Sequence, residues 1–152
     1  MVIKVKPKYT AEQIRQVLAD RVAKLDKAII SNFRYIGEKF VKNARENGNY
    51  TDRTGNLRSS IGYVILKNGA QVKENFRSVS GGKDGLNQAK QSAKDAAKAF
   101  PKGYVLIVVA GMDYAAAVES RGYDVISSSS TQAKEDLRVA IEGLKKRIDN
   151  VR

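Results

Sequence analysis

Between Thr10 and Gly48 the chain carries a single apolar stripe at helical spacing, and this constrains the fold more than any other feature. Ile14, Leu18, Val22, Leu25, Ile29, Phe33, Ile36 and Phe40 follow one another at intervals of four, four, three, four, four, three and four, the period of one face of an α-helix. Val17, Ala28, Ile30 and Val41 widen the stripe. Thr10 and Gln13 have the spacing of a capping box, and Asn47-Gly48 is a stop signal. Unbroken, such a helix is about 55 Å long at 1.5 Å per residue. A compact body of 152 residues is only about 40 Å across. Two outcomes stay open: the helix bends onto its own sheet, with Gly37 as its weakest interior position, or it protrudes and needs another chain to cover it.

The next stretch, Tyr50-Thr51-Asp52-Arg53-Thr54-Gly55-Asn56-Leu57-Arg58-Ser59-Ser60-Ile61, hands the chain from helix to sheet. Thr54 is suited to cap a short helical turn, and Gly55 and Asn56 tolerate unusual dihedrals. Leu57 and Ile61, four apart, are expected to face inward, with Arg53 and Arg58 pointing to solvent. Ser60 to Leu66 reads as a strand. Lys67-Asn68-Gly69 is a hairpin turn, and Ala70 to Phe76 returns antiparallel. Arg77 to Gly85 reads as loop. Its Ser80-Gly81-Gly82-Lys83 lacks the spacing of a Walker phosphate loop.

Asp84 is a candidate cap for a helix from Leu86 to Phe100, ended by Pro101. Ala89, Ala93, Ala96 and Ala97 form its inner face with Leu86 and Phe100 at the ends, while Lys90, Lys94 and Lys98 line another face. Gly103 to Gly111 is the most apolar run and reads as a central strand covered on both faces. Tyr114 to Glu119 suits either a strand or a helical turn, and Tyr123 to Ile126 a further short strand. Ser127 to Ser130 supplies a cap for a last helix from Thr131 to about Asn150. The expected architecture is α+β: a long N-terminal and a C-terminal helix on one face of a small, mainly antiparallel sheet of about four strands. Residues 1–152 form one domain, with 78–102 reading as a loop–helix insertion.

Composition narrows the chemistry. The chain has no histidine and no cysteine. Histidine-based general-base catalysis, thiol chemistry and ordinary zinc sites therefore lack their residues. Asp113, Glu119 and Asp124 lie close in sequence, but they are expected to be surface charge and helix caps rather than a catalytic set. No enzymatic activity, cofactor, metal or small-molecule substrate is expected. No apolar run reaches the 18–20 residues that span a bilayer, and the basic N-terminus lacks the apolar core of a signal peptide. The formal net charge is +12, a surplus that favours polyanions. It is concentrated early: residues 1–48 carry 11 basic and 5 acidic side chains, residues 84–152 carry 11 and 9. Only seven Tyr and four Phe are interleaved with it, in no base-stacking pattern, which suits loose contact with a nucleic-acid backbone, with Lys90, Lys94 and Lys98 the candidate DNA-facing residues.

Two segments together carry a family resemblance. Asp52-Arg53-Thr54-Gly55-Asn56-Leu57-Arg58-Ser59-Ser60-Ile61 resembles the Thr-Gly-x-Leu-Arg-x-Ser motif of a family of tailed-bacteriophage head–tail joining proteins (neck, or tail-completion, proteins), where it follows a long N-terminal helix. Tyr114-Ala115-Ala116-Ala117-Val118-Glu119, with Gly122 one residue late, is similar to that family's Tyr-Ala-x-x-Val-Glu-x-Gly. The four serines at 127–130 stand where many members have a proline-containing segment. The resemblance implies a non-enzymatic virion structural protein of a phage or prophage. It would assemble as a ring-type homo-oligomer at the junction of head and tail, against neighbouring head or tail proteins. It also implies that Asp52, Arg53, Thr54, Gly55, Leu57, Arg58, Ser60, Tyr114, Val118, Glu119 and Gly122 are fold and interface determinants, with Arg53, Arg58 and Glu119 as candidates for ion pairs between subunits. The alternative is a small basic nucleic-acid-binding protein.

Overall fold

The computed structural model describes residues 1–2 and 5–150. The extended segment expected over residues 2–6 includes Ile3 and Lys4, which lie outside the described residues. The long stripe forms one unbroken helix, α1 (Ala11–Asn47). Its start is the predicted capping box: the Gln13 N–H donates to Thr10 Oγ1 at 3.2 Å, and the Thr10 N–H donates to Gln13 Oε1 at 2.8 Å. A four-residue helix, α2 (Asn56–Ser59), leads into β1 (Ile61–Lys67). Asn68 and Gly69, with φ of 51° and 77°, turn the chain into β2 (Ala70–Asn75). There follow α3 (Lys83–Ala97), β3 (Tyr104–Ala110), a short α4 (Ala115–Glu119) and α5 (Ser127–Asp149).

The sheet has three antiparallel strands in the order β2-β1-β3. β3 was expected to be the central strand; it is an edge, and β1 is the centre. The apolar run of β3 nevertheless feeds both faces of the sheet. Tyr104, Leu106, Val108 and Ala110 join the core under α1, and Val105, Ile107 and Val109 join the one under α3. Residues 123–126, expected as a fourth strand, form a loop. Only Val125 of that segment is fully buried, and a single anchored side chain does not need a strand.

The larger core is built from Phe33, Ile36, Phe40, Val41 and Ala44 of α1 against Ile61, Tyr63 and Ile65 of β1. Gly37 does not interrupt the helix. A Cβ there would lie 2.7 Å from the Tyr63 ring, so the missing side chain lets β1 lie close under α1. Burial and Glu38 push the Tyr63 hydroxyl pKa up, and that hydroxyl donates to Glu38 Oε1 at 2.9 Å. Lys67 and Tyr104 both donate to Asp26 of α1. α5 packs along α1, rather than chiefly on the strands as expected, through Ala133, Leu137 and Ala140. A Lys39–Asp136 ion pair of 2.6 Å fixes the antiparallel register of the two helices.

The segment expected as an insertion covers the second face of the sheet. Ala89 and Ala93 of α3 are buried, and Ala93 packs with Val64, Leu66 and Ile107. α3 begins at Lys83, with Gly82 rather than Asp84 at its cap, and ends at Ala97. Phe100, expected to close its inner face, is exposed because the helix stops three residues earlier.

Candidate interface: the uncovered arm and the paired motifs

α1 leaves the body of the protein at about Leu25. Every residue from Ala11 to Lys24 is exposed. Within that arm Ile14, Val17, Leu18 and Val22 are 51, 53, 56 and 59 % exposed, whereas Phe40 on the same helix is 1 % exposed. Fourteen helical residues span about 21 Å. The sequence left a bend or a protrusion open, and the helix protrudes. Beside the base of the arm lies an open groove of about 530 Å³ between α1 and the end of α5.

The two sequence motifs, some 60 residues apart, lie together at the inner end of α1. The Gly111 N–H donates to Ser60 O at 3.0 Å, and the Asp124 N–H donates to Asn49 Oδ1 at 2.8 Å. Burial and the nearby Asp52 carboxylate push the Tyr114 hydroxyl pKa up. Within the first motif, Asp52 Oδ2 accepts from the Arg58 N–H at 2.7 Å and Thr54 Oγ1 from the Asn56 N–H at 3.3 Å. Gly55, at φ 72°, is the helix cap, and a Cβ on it would meet Val79 O at 2.1 Å. Leu57 and Ile61 are buried as expected. Ser60 Oγ donates to Leu57 O at 2.7 Å.

Arg58 does not point freely to solvent. Its Nε donates to Arg45 O at 3.0 Å, and its guanidinium lies 5.1 Å from the centre of the Tyr50 ring. Arg45 answers it: Nε donates to Arg58 O at 3.0 Å, and Nη2 donates to Ile61 O at 2.8 Å and Arg77 O at 3.0 Å. Burial and then Arg77 push the Arg45 pKa down. Sequence reading missed Arg45 and also Ser59, whose hydroxyl accepts from the Val79 N–H at 2.7 Å and donates to Val79 O at 3.1 Å. Both partners are distant in sequence, and no local pattern signals them.

The second motif forms α4. Ala115 is buried, Val118 is half-buried against the larger core, and Tyr114 is exposed. Glu119 caps α5, a role expected of the serines. Its Oε1 accepts from the N–H groups of Val125, Ile126 and Ser127 at 3.2, 2.9 and 3.0 Å, and its Oε2 from the Ser127 hydroxyl at 2.9 Å. Burial raises the Glu119 pKa, but these donors outweigh burial and the net shift is downward. Asp124 Oδ1 accepts from the Ser128 N–H at 3.2 Å. The serines thus form the first turn of α5, which starts at Ser127 rather than Thr131. Gly122, at φ 87°, ends α4, and its N–H donates to Glu119 O at 2.9 Å.

Arg58 and Glu119, expected to pair across subunits, are therefore engaged within one chain. Arg53 and Tyr114 are the motif side chains left exposed with large surfaces. Lys90, Lys94 and Lys98 lie on the outer side of α3, all exposed. Lys90 is 3.5 Å from Glu74 and Lys98 is 2.7 Å from Asp95, so acidic neighbours answer two of the three charges. Among the described residues, no helix is long and apolar enough to cross a membrane. Comparison with known protein families, curated proteins and solved structures found no match.

Proposed function

We propose that this chain is a non-enzymatic structural protein that works as a ring-type homo-oligomer at the head–tail junction of a tailed phage or prophage, and so resides in the virion. The observation that carries the self-assembly half is the apolar stripe on the outer end of α1, which is exposed for about 21 Å with its large side chains uncovered. A monomeric protein gains nothing from presenting Ile14, Leu18 and Val22 to water on a projecting helix. The morphogenetic half rests on the two resembling motifs, which the fold sets side by side. Self-assembly is tested by light scattering and negative-stain imaging across concentration. The junction role is tested by binding to the portal, capsid and tail-tube proteins encoded by neighbouring genes. Rings or partner binding fit the proposal; a strict monomer that binds none of them contradicts it.

A second reading, a nucleic-acid-binding protein, is favoured by the exposed row Lys90, Lys94 and Lys98. The same row would suit a DNA-facing rim of a ring. It predicts duplex affinity that falls steeply with salt, independent of sequence.

A further inference from the structure

We infer that the tip of the α1 arm seats in the groove between α1 and α5 of a second copy of this chain. This rests on the self-assembly half of the proposed function and adds the receiving surface. The groove has an apolar floor of Val22, Leu25, Ala28, Leu144 and Ile148. It lies where α5 runs out alongside α1, so the seam between the two helices loses one of its members while α1 continues outward. A helix laid there continues an existing helix–helix interface instead of starting a new one.

Length points to the arm as the occupant. The groove runs from Arg21 to Ala28 along α1, about two helical turns. Ile14, Val17 and Leu18, the exposed apolar residues of the arm that do not themselves line the groove, span just over one turn and fit within it. Three exposed cations, Arg21, Lys24 and Arg147, border the groove, and the exposed Asp149 follows directly on Ile148. The tip carries Glu12, which among the described residues makes an exposed 3.6 Å ion pair with Arg15 of its own helix. A tip presenting an apolar row fits a groove whose apolar floor continues the α1–α5 seam. The arm is also too short to fold back: Ile14 lies eight residues, about 12 Å, beyond Val22 on a straight helix.

The absence of cysteine makes the test direct. Ile14→Cys and Ile148→Cys are introduced together and the protein is oxidised gently. Ile14 and Ile148 are both more than half exposed in wild type, so the fold should persist, as judged by circular dichroism and an unchanged melting curve. A bond within one chain is out of reach, because Ile148 shares the groove with Val22 and Ile14 lies about 12 Å farther along α1, beyond the roughly 7 Å limit between disulfide-bonded Cα atoms. The expected result is covalent dimers or a ladder of closed oligomers, with those bands lost on adding Leu18→Asp. Oligomers by light scattering without the 14–148 cross-link overturn the groove assignment and leave self-assembly standing. A monomer at all concentrations overturns both. A monomer that binds phosphatidylserine vesicles assigns the stripe to a lipid surface and likewise overturns the inference.

Discussion

The two halves of α1 share one sequence pattern and meet opposite fates. From Ile29 inward the stripe lies on β1 and β3 and is buried. From Val22 outward the same spacing continues, yet the side chains stand in water. The difference is one of supply. β1 has seven residues and spans about 23 Å, less than half of the helix. α5, with 23 residues, extends cover by running antiparallel along α1 for about 35 Å, and it ends beside Val22. Periodicity therefore records which face of a helix is meant to be covered, while the lengths of the other elements decide whether this chain can cover it.

The sharpest way to break that contrast is truncation at matched positions. Phe40→Ala removes a fully buried ring and should cost about 3–5 kcal/mol, whereas Leu18→Ala should stay within about 0.5 kcal/mol for the dilute single chain. Urea denaturation at low protein concentration measures both. Equal losses would mean that the arm is covered within its own subunit. Gly37→Ala sharpens the inner half. Higher helix propensity favours it by about 1 kcal/mol, but the new Cβ would crowd the Tyr63 ring at 2.7 Å, so a net loss of about 1–2 kcal/mol is expected.

The α5 cover depends on Glu119. Glu119→Ala should destabilise by about 1–2 kcal/mol, in line with other lost helix caps. Because the folded pKa of Glu119 lies below its ordinary value of 4.5, its contribution is fully present above that value. It is lost as pH falls through the lower, folded pKa. A denaturation series in acid should therefore show wild type and Glu119→Ala converging. If their separation is the same at every pH, the carboxylate is not the cap. The smallest effect belongs to Tyr50, just past the inner end of α1. Its hydroxyl is buried and finds no hydrogen-bond partner among the described residues, so Tyr50→Phe should leave stability within about 0.5 kcal/mol or raise it slightly. A clear loss would reveal a partner for that oxygen.

Local signals in the sequence were readable where local physics decides. The Thr10–Gln13 box, the Asn47-Gly48 stop and the Asn68-Gly69 hairpin each act within four residues, and each lies where the pattern placed it. Strand order was not readable. Tyr104 to Ala110 is the most apolar run, and apolarity reports coverage of the two faces, which this strand has, but says nothing about its edges. The caps of α5 were misread because Glu119 reaches eight residues forward to Ser127, beyond any capping pattern. In the motif region, Thr54, Gly55 and Leu57 were legible as a capped turn. The Arg45–Arg58 exchange between the end of α1 and the turn is a tertiary contact, and the simple expectation for an arginine beside a turn is solvent.

The account turns on whether the outer half of α1 is covered by another copy. Light scattering on wild type and Leu18→Asp, from low to high concentration at near-physiological salt, measures that directly. The stripe predicts a wild-type mass that rises to a fixed multiple of 16.7 kDa, and a Leu18→Asp variant that stays at the single-chain mass with its fold intact. A wild type that holds the single-chain mass throughout, or a variant that assembles just as well, contradicts it.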